Sequence, residues 1–213
     1  PIFLSCWGVE RYGEWITLSA FTAAMAFCNL GLGTAAGNAF VLAHGRGDIC
    51  TAARAMRSGL VLLIMAICTG LMLAVIAIGV GAVSGLLHDL NVDRVTVMAV
   101  IGLLGLATLV RLFTSLNEAW FRAARCNHIA VHYISLADLA STAIIIVLLL
   151  IGGDMVWVAA SNLVVTVCLV VVLHVKGSRL LPEVDVSIAR TNWRELRGFL
   201  MKGLAFMMNP IRQ

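Results

Sequence analysis

The chain has 213 residues, of which 61% are hydrophobic and 12% charged, with a mean hydropathy of +0.99; a soluble domain carries about a quarter of its residues as charged side chains. A water-soluble enzyme, a disordered chain and a collagen-like chain are excluded. The net charge of +4 and isoelectric point near 9.0 would suit a nucleic-acid binder, but in a membrane protein Lys and Arg collect in cytoplasmic loops, so no nucleic-acid partner is expected.

Runs of about 20 apolar residues are needed to cross a hydrocarbon core of about 30 Å. The opening Pro1–Gly8 is apolar, without the basic start of a signal peptide, and reads as the outer end of an upstream span. Two stretches without Asp, Glu, Lys or Arg, Trp15 to Ala43 and Ser58 to Leu87, give the first two complete spans. A third begins at Val95 and is predicted to continue as a long helix through Arg111, Glu118, Arg122 and Arg125, since neither Pro nor Gly interrupts it there. A fourth, Ile129 to Ile151, contains Asp138; a fifth, Met155 to Leu173, follows after Gly152, Gly153 and Asp154 as a tight hairpin. Beyond His174 the chain turns polar, and Asn192 to Glu195 offers a capping box before an apolar start at Gly198.

The expected fold is therefore all-α, a polytopic membrane bundle of about five complete spans with parts of two more. Its expected divisions are a bundle over 1–175, a cytoplasmic loop over 176–195 and the start of a second lobe over 196–213. Positive charge lies on alternate loops: Arg46, Arg54 and Arg57; Arg122 and Arg125; then Lys176, Arg179, Arg190, Arg194 and Arg197. The opposite set holds only Arg11 and Arg94, beside Asp89, Asp93 and Asp154. Positive-inside placement puts the basic loops in the cytoplasm. The six cysteines form no C-x-x-C pair and mostly sit in apolar runs, where they act as small hydrophobes.

The run Trp7-Gly-Val-Glu-Arg-Tyr-Gly-Glu-Trp15, followed by Asn29-Leu-Gly-Leu-Gly33 and a short basic loop with Gly47-Asp48, resembles the polysaccharide flippase family, of the O-antigen and teichoic-acid type, within the multidrug/oligosaccharidyl-lipid/polysaccharide exporter superfamily. Asn29 stands where that family commonly has Asp. The resemblance is strongest over residues 7–60 and implies one six-helix half of a two-lobed transporter in the bacterial cytoplasmic membrane. It further implies a cargo, an undecaprenyl-diphosphate-linked oligosaccharide moved to the outer leaflet for surface polysaccharide such as lipopolysaccharide. Polysaccharide polymerase and export machinery are the implied protein partners, with no cofactor and no catalysis.

Gly31, Gly33 and Gly37 come close to a dinucleotide fingerprint, but that motif needs a strand before it. Inside a membrane span the spacing reads as close helix packing, as does the pair Gly81 and Gly85. His128 and His132 have metal-ligand spacing, yet no third ligand accompanies them, so no metal is expected. At about 100° per residue, Arg111, Glu118, Arg122 and Arg125 share one helix face. Arg122 and Arg125 sit where arginines snorkel to the surface, whereas Arg111 is about 21 Å further along, at a depth where a charge normally faces a bundle interior or a watery cavity. Asp138, at matching depth on the next antiparallel helix, is its expected partner. The candidate cargo-binding set is therefore Arg111, Glu118, Arg122, Arg125 and Asp138, with arginine suited to a diphosphate because its fork binds oxygens in pairs. Two other readings compete: a multidrug/cation antiporter of the same superfamily, which would want acids in its cavity, and an intramembrane prenyl or glycosyl transferase, which would want clustered Asp for a metal-bound diphosphate.

Overall fold

The computed structural model describes residues 2–24, 31–83 and 93–184. Its elements are six helices, α1 (Ile2–Ala24), α2 (Leu32–Gly45), α3 (Ile49–Val83), α4 (Arg94–Ala123), α5 (Asn127–Leu150) and α6 (Met155–Leu180), with no strand among the described residues. Four of them are long and apolar enough to cross a membrane: Ile49–Met72 within α3, and the whole of α4, α5 and α6. The chain is thus an all-α, multi-pass membrane bundle.

The expected single span from Trp15 to Ala43 is replaced by two helices. The chain is left-handed at Gly31 (φ 62°), the residue that heads α2; a residue in that conformation interrupts the i to i−4 ladder. Upstream, α1 reaches back to Ile2 and takes Glu10, Arg11 and Glu14 into the helix, so these charges lie on a helix face rather than in a loop. It is broken at Gly8 (φ 75°, ψ 176°), a backbone region open essentially to glycine alone. The short arm before the break is tied down by Trp7, whose Nε1 donates to the Gly153 carbonyl at 3.0 Å. The third expected span ends at Ala123, short of Arg125, and the fifth is extended by two turns to Leu180. The capping box at 192–195, the apolar start at Gly198, Asp89 and Gly85 lie outside the described residues.

The three short connections have a shared cause. After α2, α4 and α5 the chain enters the left-handed region at Gly47 (φ 77°), Arg125 (φ 58°) and Gly152 (φ 78°). In each case two amides past the helix return to its last turn: Gly47 to His44 and Asp48 to Ala43, Arg125 to Arg122 and Cys126 to Phe121, Gly152 to Leu149 and Gly153 to Leu148. This double bond pattern satisfies the orphan carbonyls of a helix end. The following helix is then launched at once by an acid in two cases. Asp48 accepts the Thr51 amide at 2.9 Å and Asp154 that of Met155 at 2.8 Å.

Helix α4 is central, packing on all five others and most extensively on α6. One core, with Phe40, Met56, Leu63, Leu109, Leu116 and Trp120, joins α2, α3, α4 and α6; the Phe40 and Trp120 rings meet edge-on at 5.2 Å. A second, with Leu18, Val97, Val100, Ile101, Leu104 and Met155, fastens α1 to the heads of α4 and α6. Close approach depends on glycine. A Cβ on Gly33 would collide with the Ser115 hydroxyl of α4, and one on Gly37 would stand 3.0 Å from Arg122 Nη2 and 3.1 Å from the Ala119 Cβ. Both are packing positions, as expected; Gly31, left-handed at the head of α2, turns the chain into that helix. Gly81 lies near the end of α3. The spacing rule did not find Gly59, against Ala36, or Gly177, against Trp120, where added Cβ atoms would sit 2.6 Å and 2.8 Å from their neighbours.

Candidate functional site

Arg111 and Asp138 meet. Arg111 lies about 18 Å from the C-terminal end of α4 and Asp138 about 17 Å from the start of α5, by rise per residue, and the antiparallel helices bring them level. Arg111 Nη2 donates to Asp138 Oδ1 at 2.8 Å. Both side chains are 51% exposed, so the pair opens sideways from the bundle rather than being sealed within it. Such a pair in the middle of apolar helices requires a polar neighbour, since charge facing lipid is expensive.

That neighbour is a cavity of about 250 Å³ between α1, α4 and α6, which Arg111 shares with Ser19, Thr22, Thr108, Asn162 and Thr166. The Thr22 and Thr108 hydroxyls donate to the Ser19 and Leu104 carbonyls at 2.9 Å, and the Thr166 hydroxyl to Asn162 Oδ1 at 3.4 Å. Their protons are spent within their own helices, leaving oxygen lone pairs as acceptors. The result is a polar seam with one cation at its edge. Ser19, Thr22, Asn162 and Thr166 were not singled out in the sequence, although Asn162 and Thr166 are one helical turn apart and would have marked a polar stripe.

The other arginines of the expected stripe go elsewhere. Arg122 Nη1 donates to Asn38 Oδ1 of α2 at 2.8 Å, and Glu118 sits half-buried one turn before it. Arg125 lies beyond the end of α4, exposed, in the left-handed position described above, so it leaves the helical face that carries Arg111. The structure therefore unites Arg111 with Asp138, ties Arg122 to α2, and sends Arg125 to a turn. His128 and His132 are both exposed on the first turns of α5. One further polar link was not expected: buried Asn117 of α4 pairs through Oδ1 with His174 Nδ1 at 3.1 Å and donates to the Val170 carbonyl at 3.4 Å, pinning α4 to α6.

No protein-family model, no curated protein and no solved structure matches this chain.

Proposed function

We propose that the protein is a flippase that carries a lipid-diphosphate-linked oligosaccharide across the bacterial cytoplasmic membrane for surface polysaccharide synthesis, without catalysis. The observation that carries this reading is the Arg111–Asp138 pair, half-exposed at mid-depth of apolar helices, with Arg111 bordering a cavity that carries hydroxyl and amide side chains on an otherwise apolar lining; the motif resemblance over residues 7–60 supplies the cargo. A diphosphate must shed water to pass a hydrocarbon core. Arg111 offers charge-assisted bonds from a planar fork, which strengthen as water leaves. Asp138 takes one of these donors while no cargo is present, so the guanidinium is never left alone in apolar surroundings. The hydroxyl and amide groups of the seam are suited to sugar hydroxyls by the same hydrogen-bond chemistry. Arginine rather than carboxylate at the edge of this cavity favours an anionic cargo over the cation of an antiporter.

The test is complementation of surface polysaccharide in a flippase-deficient cell, with protein abundance measured in parallel. The wild-type protein restores the polysaccharide. Arg111→Ala at normal abundance loses nearly all of it, and retention of full export by that variant would refute the reading.

A further inference from the structure

The cavity beside Arg111 is furnished with donors and acceptors that the protein does not use itself. Trp15, Ser19 and Thr22 line it from successive turns of α1, and Asn162 and Thr166 from α6. The threonine hydroxyls donate within their own helices, so they meet a ligand as acceptors. The free donors are others. Asn162 spends its Oδ1 on Thr166, but its Nδ2 donates to no described residue, and neither do the Trp15 indole N–H and the Ser19 hydroxyl. Amide and indole donors set among apolar helices are costly to leave unpaired, and these are open to whatever enters the cavity.

The Trp15 ring is steadied from the arm of α1. Phe3 lies nearly parallel to it, at 20° and 6.4 Å between ring centroids, and Trp7 meets it edge-on at 5.7 Å. Trp7 is in turn tied to the Gly153 carbonyl through its indole N–H. An aromatic wall held in place by its neighbours loses little side-chain freedom when a ligand packs on it.

Size and lining select the ligand. At about 250 Å³ the cavity falls below the range of roughly 300–1,000 Å³ that encloses a drug-sized molecule, so it takes a group the size of a single ring. Leu104 and Ala107 share the lining with the hydroxyl, amide and indole groups. The group must therefore be apolar on one face and carry donors and acceptors around its rim. A pyranose ring has this character: its C–H face packs on the electron-rich face of an indole, and each hydroxyl both donates and accepts. A purely apolar group would leave Asn162 Nδ2 unpaired, and a small inorganic anion would leave Trp15 uncovered.

We infer that this cavity seats one sugar ring of the cargo, packed on Trp15 and accepting a hydrogen bond from Asn162 Nδ2, beside the diphosphate held by Arg111. The inference rests on the flippase reading and makes Trp15 and Asn162 residues that determine specificity. Binding is measured by calorimetry on the protein in nanodiscs of zwitterionic lipid, with empty nanodiscs as the blank. The probes are citronellyl diphosphate alone and the same molecule carrying glucose, galactose or N-acetylglucosamine on its distal phosphate. At least one glycosylated probe binds about ten-fold more tightly than the bare diphosphate, the order expected of one packed ring and one hydrogen bond. Trp15→Leu and Asn162→Ala each reduce that preference to about two-fold, whereas Arg111→Ala weakens bare and glycosylated probes alike. Asn162→Ala decides the matter if Trp15→Leu does not fold. If the bare diphosphate binds and no sugar improves it, or if either folded variant keeps the wild-type preference, the sugar seat is refuted and the flippase reading stands. If neither the bare nor any glycosylated probe binds, both fall.

Discussion

At the scale of single residues, Arg111 and Asp138 separate two roles by their responses to substitution. Arg111→Lys keeps the charge and loses the fork, so it should retain part of export while Arg111→Ala loses almost all of it. If the arginine served only to neutralise Asp138, removing both partners would relieve the unpaired charge; full rescue of abundance and export by the double alanine variant would leave a structural ion pair and nothing more. Arg125 supplies an independent test. It occupies the same left-handed position that glycine fills after α2 and α5, with the same pair of returning amides. Arg125→Gly should therefore raise stability by up to about 1 kcal/mol, seen as a higher denaturation midpoint. Asp48 gives a pH dependence. Its side chain accepts bonds from Thr51, which hold its carboxyl below the usual carboxylate range. A lowered pKa gives stability that is present above the ordinary range and lost as pH falls through the folded value. The stability difference between wild type and Asp48→Ala should stay constant near neutrality and shrink below about pH 4. The Arg111–Asp138 pair was legible in the sequence because rise per residue fixes depth on antiparallel neighbours. Arg122 was not, because its partner Asn38 comes from a helix 84 positions away, and no local period reports that distance.

At the scale of helices, the packing glycines divide in the same way. Gly33 and Gly37 were visible as a small-x-x-x-small pair; Gly59 and Gly177 stand alone, and their need arises only from what α2 and α4 place opposite them. Gly177→Leu should be as damaging as Gly33→Leu, lowering abundance in membranes by several-fold, since both would drive side-chain atoms into α4. Normal abundance with abolished export from either variant would instead indicate a gating role. The division of Trp15–Ala43 into α1 and α2 was hidden for a related reason. An uncharged stretch shows that a segment avoids water, but Gly31 can serve a helix interior, a packing contact or a left-handed turn equally well.

For the whole molecule, the all-α, membrane-spanning character followed from composition, and the tight α5–α6 turn from two glycines between apolar runs. The central place of α4 did not follow, because every candidate span was comparably apolar and burial by protein differs sharply from burial by lipid: 44% of the most apolar window of α4 lies inside the protein but only 6% of that of α5. The loop charges predict the orientation. In a variant lacking the native cysteines, a cysteine at Asp154 should react with an impermeant maleimide added outside intact cells, while one at Arg54 should react only after permeabilisation. The reverse pattern would invert the molecule.

The short turns also carry a consequence for the order of assembly. α2 with α3, and α5 with α6, are neighbours in the chain whose pairing closes only a short loop, whereas α1 must find α4 across about 80 residues. Loop-closure entropy makes the two hairpins early contacts and the docking of α1 a late one. The cavity beside Arg111 has α1 as a wall. The polar seam is thus completed in the last step of assembly, and the hairpins can be inserted and paired before it exists.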